Sequence, residues 1–310
     1  MAFNNINKTT ASNNLFLTDG AGALRCRWIT FAENTRKMVN CRWAVVLFAF
    51  FMTDCTSSDK DAAKMLMDEA GNAYMQKDYN KSKILLDSLI HTYPKEKEIT
   101  IQAKEFMRIV KKSEQDRNLI FLDSLLNARE SELKLMMKDF NSIDNFGDMP
   151  WLEHKRQSTS NSYLRSFVKI HVNQNGNFYI SSHLCAKEYI NHNSIRVYFG
   201  NNSATTEQID SETMVNKFDD GKYYWETINY RQNSDNGVAD FISQHCKEML
   251  KVEFVGEKKS QYIVMNNYDK DAIREGYEMA FIFREVIQIK QQIRSVKQSL
   301  KELTNNKGIH

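Results

Sequence analysis

A chain of 310 residues, 42% hydrophobic and 26% charged, carries enough apolar material for one large domain or two ordinary ones and excludes global disorder. Its 42 basic residues nearly balance 39 acidic ones, which leaves no long-range field for nucleic acid. Five cysteines with no CxxC pair exclude a zinc ribbon, a thioredoxin-like motif and a disulfide framework, and only two prolines leave room for long helices.

Residues 1–37 are polar and Asn/Thr-rich and read as an unstructured or over-extended start. Arg36, Lys37 and Arg42 then lead into an apolar run from Trp43 to Met52. As a helix, ten residues reach about 15 Å, roughly half of a bilayer core, so the run fits a signal peptide better than a membrane span. Thr53-Asp54-Cys55-Thr56-Ser57-Ser58-Asp59 follows. Residues 38–55 resemble a bacterial lipoprotein signal in their order of basic, apolar and cysteine segments, with Asp54 where a small residue is usual. The Ser/Asp-rich stretch is similar to the leader of Bacteroidota lipoproteins. The resemblance implies a lipid on Cys55 as the mature N-terminus, and a protein anchored to a membrane of the cell envelope, periplasmic or at the cell surface. With Cys55 processed, Cys185 and Cys246 remain as thiols, read as buried small hydrophobes rather than a disulfide.

Residues 59–94 have the period of a helical hairpin: Ala62, Ala63, Leu66, Met67, Ala70 and Tyr74, a break at Gln76-Lys77-Asp78, then Tyr79, Ser82, Leu86 and Leu89 before Pro94. Gly71, Ala73, Tyr74, Tyr79, Ser82, Leu86, Leu89 and Pro94 resemble one degenerate tetratricopeptide repeat, which implies a small unit that docks on a neighbour.

Residues 96–145 read as one long helix with a heptad seam of Leu119, Leu122, Leu126, Leu133, Met136 and Phe140. Residues 269–303 carry a second seam of Ile282, Val286, Ile289, Ile293, Val296, Leu300 and Leu303, with Asp269 or Asp271 as the helix cap. Each seam spans about 33 Å. Their equal length predicts an antiparallel, coiled-coil-like pair within one chain, with a homodimer through the C-terminal helix as the alternative.

Between these helices, residues 163–267 predict an α+β domain with a largely antiparallel sheet. Phe167–Val172 alternates, and Asn175-Gly176 signals a two-residue type I′ hairpin returning through Phe178–Leu184. That register places His171 opposite Ile180 and His183 opposite Val168. Further strands are expected at 195–199, 223–230, 250–255 and 261–265, and a helix at 238–248. The whole layout, about residues 38–303, resembles uncharacterised Bacteroidota envelope lipoproteins through runs such as Asn175-Gly176-Asn177-Phe178-Tyr179-Ile180 and Asp269-Lys270-Asp271-Ala272-Ile273. That group implies no particular activity.

No catalytic or cofactor signature stands out. His183 and Cys185 share a strand face, but at about 7 Å they are too far apart to bond directly and read as structural. The seven histidines form no HxxxH or HExxH pair, and no phosphate loop occurs, so neither metal nor cofactor is expected. Asp219-Asp220-Gly221 and Asp235-Asn236-Gly237 read as turns. The aromatic group Tyr223, Tyr224, Trp225 and Tyr230 is a candidate binding face for a sugar ring or a protein, against the simpler reading of core-facing strand residues. The leading expectation is a non-catalytic envelope lipoprotein that serves as a protein-interaction or scaffolding module for other envelope proteins. The alternatives are a glycan- or peptide-binding accessory protein of an uptake system, and a hydrolase with an unrecognised site.

Overall fold

The computed structural model describes residues 56–143, 150–158, 164–210 and 214–305. The leader, its apolar run and Cys55 lie outside them. The described chain is a mixed α and β structure with five helices and two antiparallel sheets. Among the described residues no helix is long and apolar enough to cross a membrane.

Helices α1 (Thr56–Met75) and α2 (Tyr79–Thr92) are separated by a sharp break where Lys77 takes a left-handed φ of 61°. Asp78 caps α2 by accepting from the Lys81 amide at 3.0 Å. Small residues permit close approach: Ala63, Ala70 and Ala73 are buried, and the Ser82 hydroxyl donates to the Ala70 carbonyl at 2.9 Å. Both helices share an apolar cluster with the start of α3 (Lys97–Met136), around Leu86, Leu89, Ala103 and Val110.

Helix α3 runs antiparallel to the last helix, α5 (Asn267–Asn305). Near one end Arg108 donates to the Leu303 carbonyl at 2.9 Å, and further along Arg129 meets Glu285 at 2.9 Å and Lys290 meets Glu130 at 2.7 Å. Leu122, Ile289 and Ile293 fill the space between them, flanked by Leu119, Leu126 and Val296. The two seams do not pair over their full length. Helix α3 ends at Met136, a 3-10 turn covers Met137–Asp139, and Phe140 opens a strand. Towards its N-terminus α5 faces a sheet instead, through Ile273, Gly276, Ala280 and Phe283. Nor does Asp269 cap α5, which begins two residues earlier at Asn267. Asp269 is buried in the first turn, where Gln157 donates to it at 2.9 Å and Arg165 pairs with it. A carboxylate there also complements the helix dipole.

One sheet was expected; two form. The larger has the order β1-β2-β3-β4-β8-β7, from β1 (Phe140–Ile143), β2 (Trp151–His154), β3 (Phe167–Asn173), β4 (Phe178–Ala186), β8 (Tyr224–Tyr230) and β7 (Val215–Asp219). The smaller has the order β10-β9-β5-β6, from β5 (His192–Phe199), β6 (Asn202–Thr205), β9 (Lys251–Gly256) and β10 (Ser260–Val264). Strand β4 pairs with β8 because the intervening β5 and β6 belong to the other sheet. The inner faces of both sheets, α5 and the short α4 (Val238–Gln244) share one core that includes Ile170, Ile180, Ile195, Phe254, Ile242 and Ile273.

The β3–β4 turn corrects the expected register by one residue. His171 pairs with Tyr179 and His183 with Phe167. Asn175-Gly176 ends a three-residue loop rather than forming a two-residue one: Gly176 donates to the Asn173 carbonyl at 2.9 Å with φ +76°. The Asn173 side chain fixes this geometry by accepting from the amides of Asn175 and Asn177 at 3.1 and 3.0 Å. Because side chains alternate, the one-residue change decides which residues share a face.

Gly276 lets α5 lie directly on β3. A Cβ there would stand 2.6 Å from Ile170 Cγ2, and Ile170 is fully buried with no space to retreat. Gly276→Val is therefore expected to lower the unfolding free energy by about 2–3 kcal/mol in urea titration.

Candidate functional site

The two faces of the six-stranded sheet differ in chemistry. The inner face is apolar on β3, with Val168, Ile170 and Val172. On the outer face the register aligns Glu153 with His171, Lys169 with Ser181, Ser181 with Asn229, and His183 with Thr227. All seven residues of β3 are buried, so Lys169 and His171 stand on an outward face without standing in water. A cavity of about 420 Å³ opens over this row.

Burying such groups is costly unless they find partners, and most do. Lys169 pairs with Glu153. His171 Nε2 lies 3.0 Å from the Ser181 hydroxyl, which lies 2.9 Å from His183 Nε2; His183 Nδ1 lies 3.1 Å from the Thr227 hydroxyl. The rings are held flat, His171 stacked on Tyr179 at 4.4 Å and His183 on Phe167 at 4.6 Å. Burial, and then the positive charge of Lys169, hold both imidazoles neutral: His171 falls well below the ordinary histidine range and His183 to about 3.

A neutral imidazole has one N–H, and the Ser181 hydroxyl one hydrogen. The chain is therefore satisfied in either of two directions. In one, His171 Nδ1 carries a hydrogen; in the other it offers a lone pair. His171 Nδ1 is buried and has no hydrogen-bond partner among the described residues. It is the open end of the relay, on a residue that lines the cavity.

At one end the polar row becomes aromatic and cationic. Trp151 meets Tyr179 edge to face at 4.7 Å, and the Arg231 guanidinium lies 4.6 Å above the Tyr179 ring. A second cavity of about 290 Å³ adjoins the first and shares Trp151, Tyr179 and Arg231 with it.

The aromatic group expected to form a binding face is divided by the strand period. Trp225 faces outward, stacked on Phe218 at 4.6 Å. Tyr224 faces the other way, edge-on to Tyr189 at 4.8 Å. Tyr223 lies below Lys187, 3.9 Å from its ammonium. Tyr230 is fully buried, and burial pushes its hydroxyl up to about 12, so it is a core residue and not part of a binding face. Cys185 and Cys246 are free, partly buried thiols. Burial and then Asp220 push the Cys185 thiol up, away from an activated nucleophile. The expected separation of the two histidines does not hold: Ser181 joins His171 and His183.

A second network joins the sheets on the inner face. Glu226 is 1% exposed, and its carboxylate accepts from the amides of Ile190, Asn191 and His192 at 2.6, 3.0 and 2.8 Å and from His192 Nδ1 at 2.7 Å. Three successive amides turned onto one anion make a nest, and the left-handed Asn191 (φ 52°) shapes it. His192 Nε2 then accepts from the Ser182 hydroxyl at 2.8 Å, with the Tyr230 hydroxyl 3.3 Å from Ser182. Burial alone would raise the Glu226 carboxyl, but the bonds from His192 and Asn191 hold it below the usual range. The order serine, histidine, carboxylate is that of a nucleophilic triad. Ser182, however, is fully buried in the core, so no substrate carbonyl can reach its oxygen. The network reads as a polar staple between the sheets.

Sequence reasoning missed Trp151, Glu153, Ser181, Thr227, Asn229 and Arg231. The available signal was the polar member of each alternating pair, Lys169 and His171 in one strand and Ser181 and His183 in the next. No protein family, curated protein or solved structure matches the chain.

Proposed function

We propose that this chain is a membrane-tethered, non-catalytic binding protein of the cell envelope, anchored by a lipid on Cys55, whose β-rich body takes a small polar ligand on the outer face of its six-stranded sheet. The observation that carries the reading is the open end of the buried relay: His171 Nδ1, unpartnered, on a residue lining a cavity of about 420 Å³. Polar side chains gathered around a cavity are the arrangement of a ligand site, whereas a purely structural face mostly buries apolar groups. The test is a ligand panel of neutral and acidic sugars and short peptides against the full chain, with nuclear magnetic resonance of the imidazole nitrogens as readout. Binding at this face is expected to move the His171 and His183 signals together, since they share Ser181. A ligand that binds while leaving both unmoved would place the site elsewhere.

The tether makes a separate prediction. Feeding the native host a palmitate analogue is expected to label the protein, and Cys55→Ala to abolish the label. An unlabelled protein with its N-terminus intact would remove the lipoprotein reading and leave the binding face standing.

A second reading, a scaffolding module, is favoured by apolar side chains left exposed on the helices: Ile84 on α2, and Ile101, Ile120 and Phe121 on α3. In it the α1–α2 pair serves as a tetratricopeptide-like docking unit and the α3–α5 pair as a coiled-coil-like stalk that engages envelope proteins. Crosslinking that depends on Phe121 and Ile120, and not on Trp151, would select this reading.

A further inference from the structure

We propose that the two cavities meeting at Trp151, Tyr179 and Arg231 form one subsite for a sugar acid, a polyhydroxylated ring carrying a carboxylate; the proposal rests on the binding reading above and names its ligand class. Charge is the first argument. The smaller cavity is lined by Arg231 and Arg284 and by no acidic residue. Both arginines are exposed, and the contact seen for Arg231 is with the Tyr179 ring rather than with a carboxylate. In the larger cavity the acid of the row, Glu153, is already taken by Lys169. The joint site therefore presents two guanidiniums without counter-charge, and a guanidinium is suited to bidentate capture of a carboxylate.

The second argument is shape and polarity. Trp151 is only partly buried and stands edge-on to Tyr179, an arrangement that offers an aromatic surface to the C–H face of a ring. Around it lie side-chain amides, Asn177, Gln232 and Asn233 in the smaller cavity and Asn216 and Asn229 in the larger. Amides both donate and accept, as sugar hydroxyls do. The relay behind them has the same ambivalence, since its bonds through His171, Ser181, His183 and Thr227 can run in either direction. Gln232 and Asn233 hold successive left-handed conformations, φ 56° and 69°, at the mouth of this cavity. They form the tight turn that follows β8.

The test titrates the full chain with glucuronate and galacturonate, glucose and galactose, inorganic phosphate and acetate. A sugar acid is expected to bind at least tenfold more tightly than its neutral counterpart and than either small anion. Arg231→Ala is expected to weaken the acid by tenfold or more and leave the neutral sugar unchanged; Arg231 is exposed, so its truncation opens no cavity in the core. Trp151→Ala is expected to weaken both sugars. Equal affinity for acid and neutral sugars, or an unaffected Arg231→Ala, overturns the charge assignment while Trp151-dependent sugar binding would still support a binding face. Phosphate or acetate binding as tightly as the sugar acids overturns the ring assignment and leaves a simple anion site. No binding of either sugar acid overturns the proposal outright, and the general binding reading is then decided by the peptide members of the wider panel.

Discussion

Lowering the pH from 7 to 5 is expected to cost the folded protein at least about 2 kcal/mol of unfolding free energy, and His183→Gln to remove much of that dependence. His183 titrates at about 3 in the folded chain, against the ordinary value of 6.5. At pH 5 the native imidazole is therefore neutral while the unfolded one is largely protonated. The unfolded state binds the extra proton, so stability falls as pH falls, beginning near 6.5 and continuing towards 3. One and a half pH units below 6.5 correspond to about 2 kcal/mol for this group alone. His171, lowered by the same burial and the same Lys169 charge, adds a loss of the same sign. The charged groups around the pair are Lys169, Arg165 and Arg231, which with His192 lower the imidazoles, and Glu153 opposite His171, whose charge is held by Lys169. Urea titrations at half-unit intervals would measure it. A stability profile that stays flat from pH 7 to 5 would mean that the imidazoles are solvated and the relay is not buried as described.

Glu226→Ala should be the most damaging single substitution in the sheets, with a loss of about 3–5 kcal/mol. It strands three backbone amides and the His192 ring nitrogen, those of Ile190 and His192 inside the core and that of the exposed Asn191 at its edge. Glu226→Gln keeps the volume and one acceptor but sets an NH2 group against a donor, and it should fall between the wild type and Ala. Ser182→Ala removes only the far end of the chain and should cost about 1 kcal/mol, the worth of an ordinary hydrogen bond. Chemical denaturation of the three variants gives the order. If Glu226→Ala unfolds within 1 kcal/mol of wild type, the staple between the sheets is not a stabilising element.

The parts of this architecture written in local pattern were legible from the sequence. Long runs of helical period gave α3 and α5, and the alternation in Phe167–Val172 gave β3. What depended on non-local pairing was not. Trp151–His154 is a four-residue strand after Pro150 with no room for a period to show. The role of Glu226 was not visible, because nothing near it in sequence announces the three amides at Ile190–His192 that its buried carboxylate accepts from. The hairpin register failed by one residue because the side chain of Asn173, and not the Asn175-Gly176 pair alone, sets the loop length. That single residue decided whether His171 and His183 could share a partner, and so whether the site was visible at all. The aromatic group at 223–230 was divided for a related reason: strand period sends neighbours to opposite faces, and composition cannot say which face is core.

The lodging of α5 beneath β3 sets the order in which the chain can assemble. Strand β3 finds β4 a few residues away, but Ile170 is covered only when Gly276 arrives, more than a hundred residues later. Strand β4 must likewise wait for β8, which follows the whole of β5, β6 and β7. The hairpins close locally, but β4–β8, β5–β9 and the packing of α5 on β3 close late, which makes for slow folding and a partly folded chain with an uncovered apolar sheet face. Shortening the chain before Asn267 would remove the element that ends that exposure, so the body completes its fold only once α5 is in place.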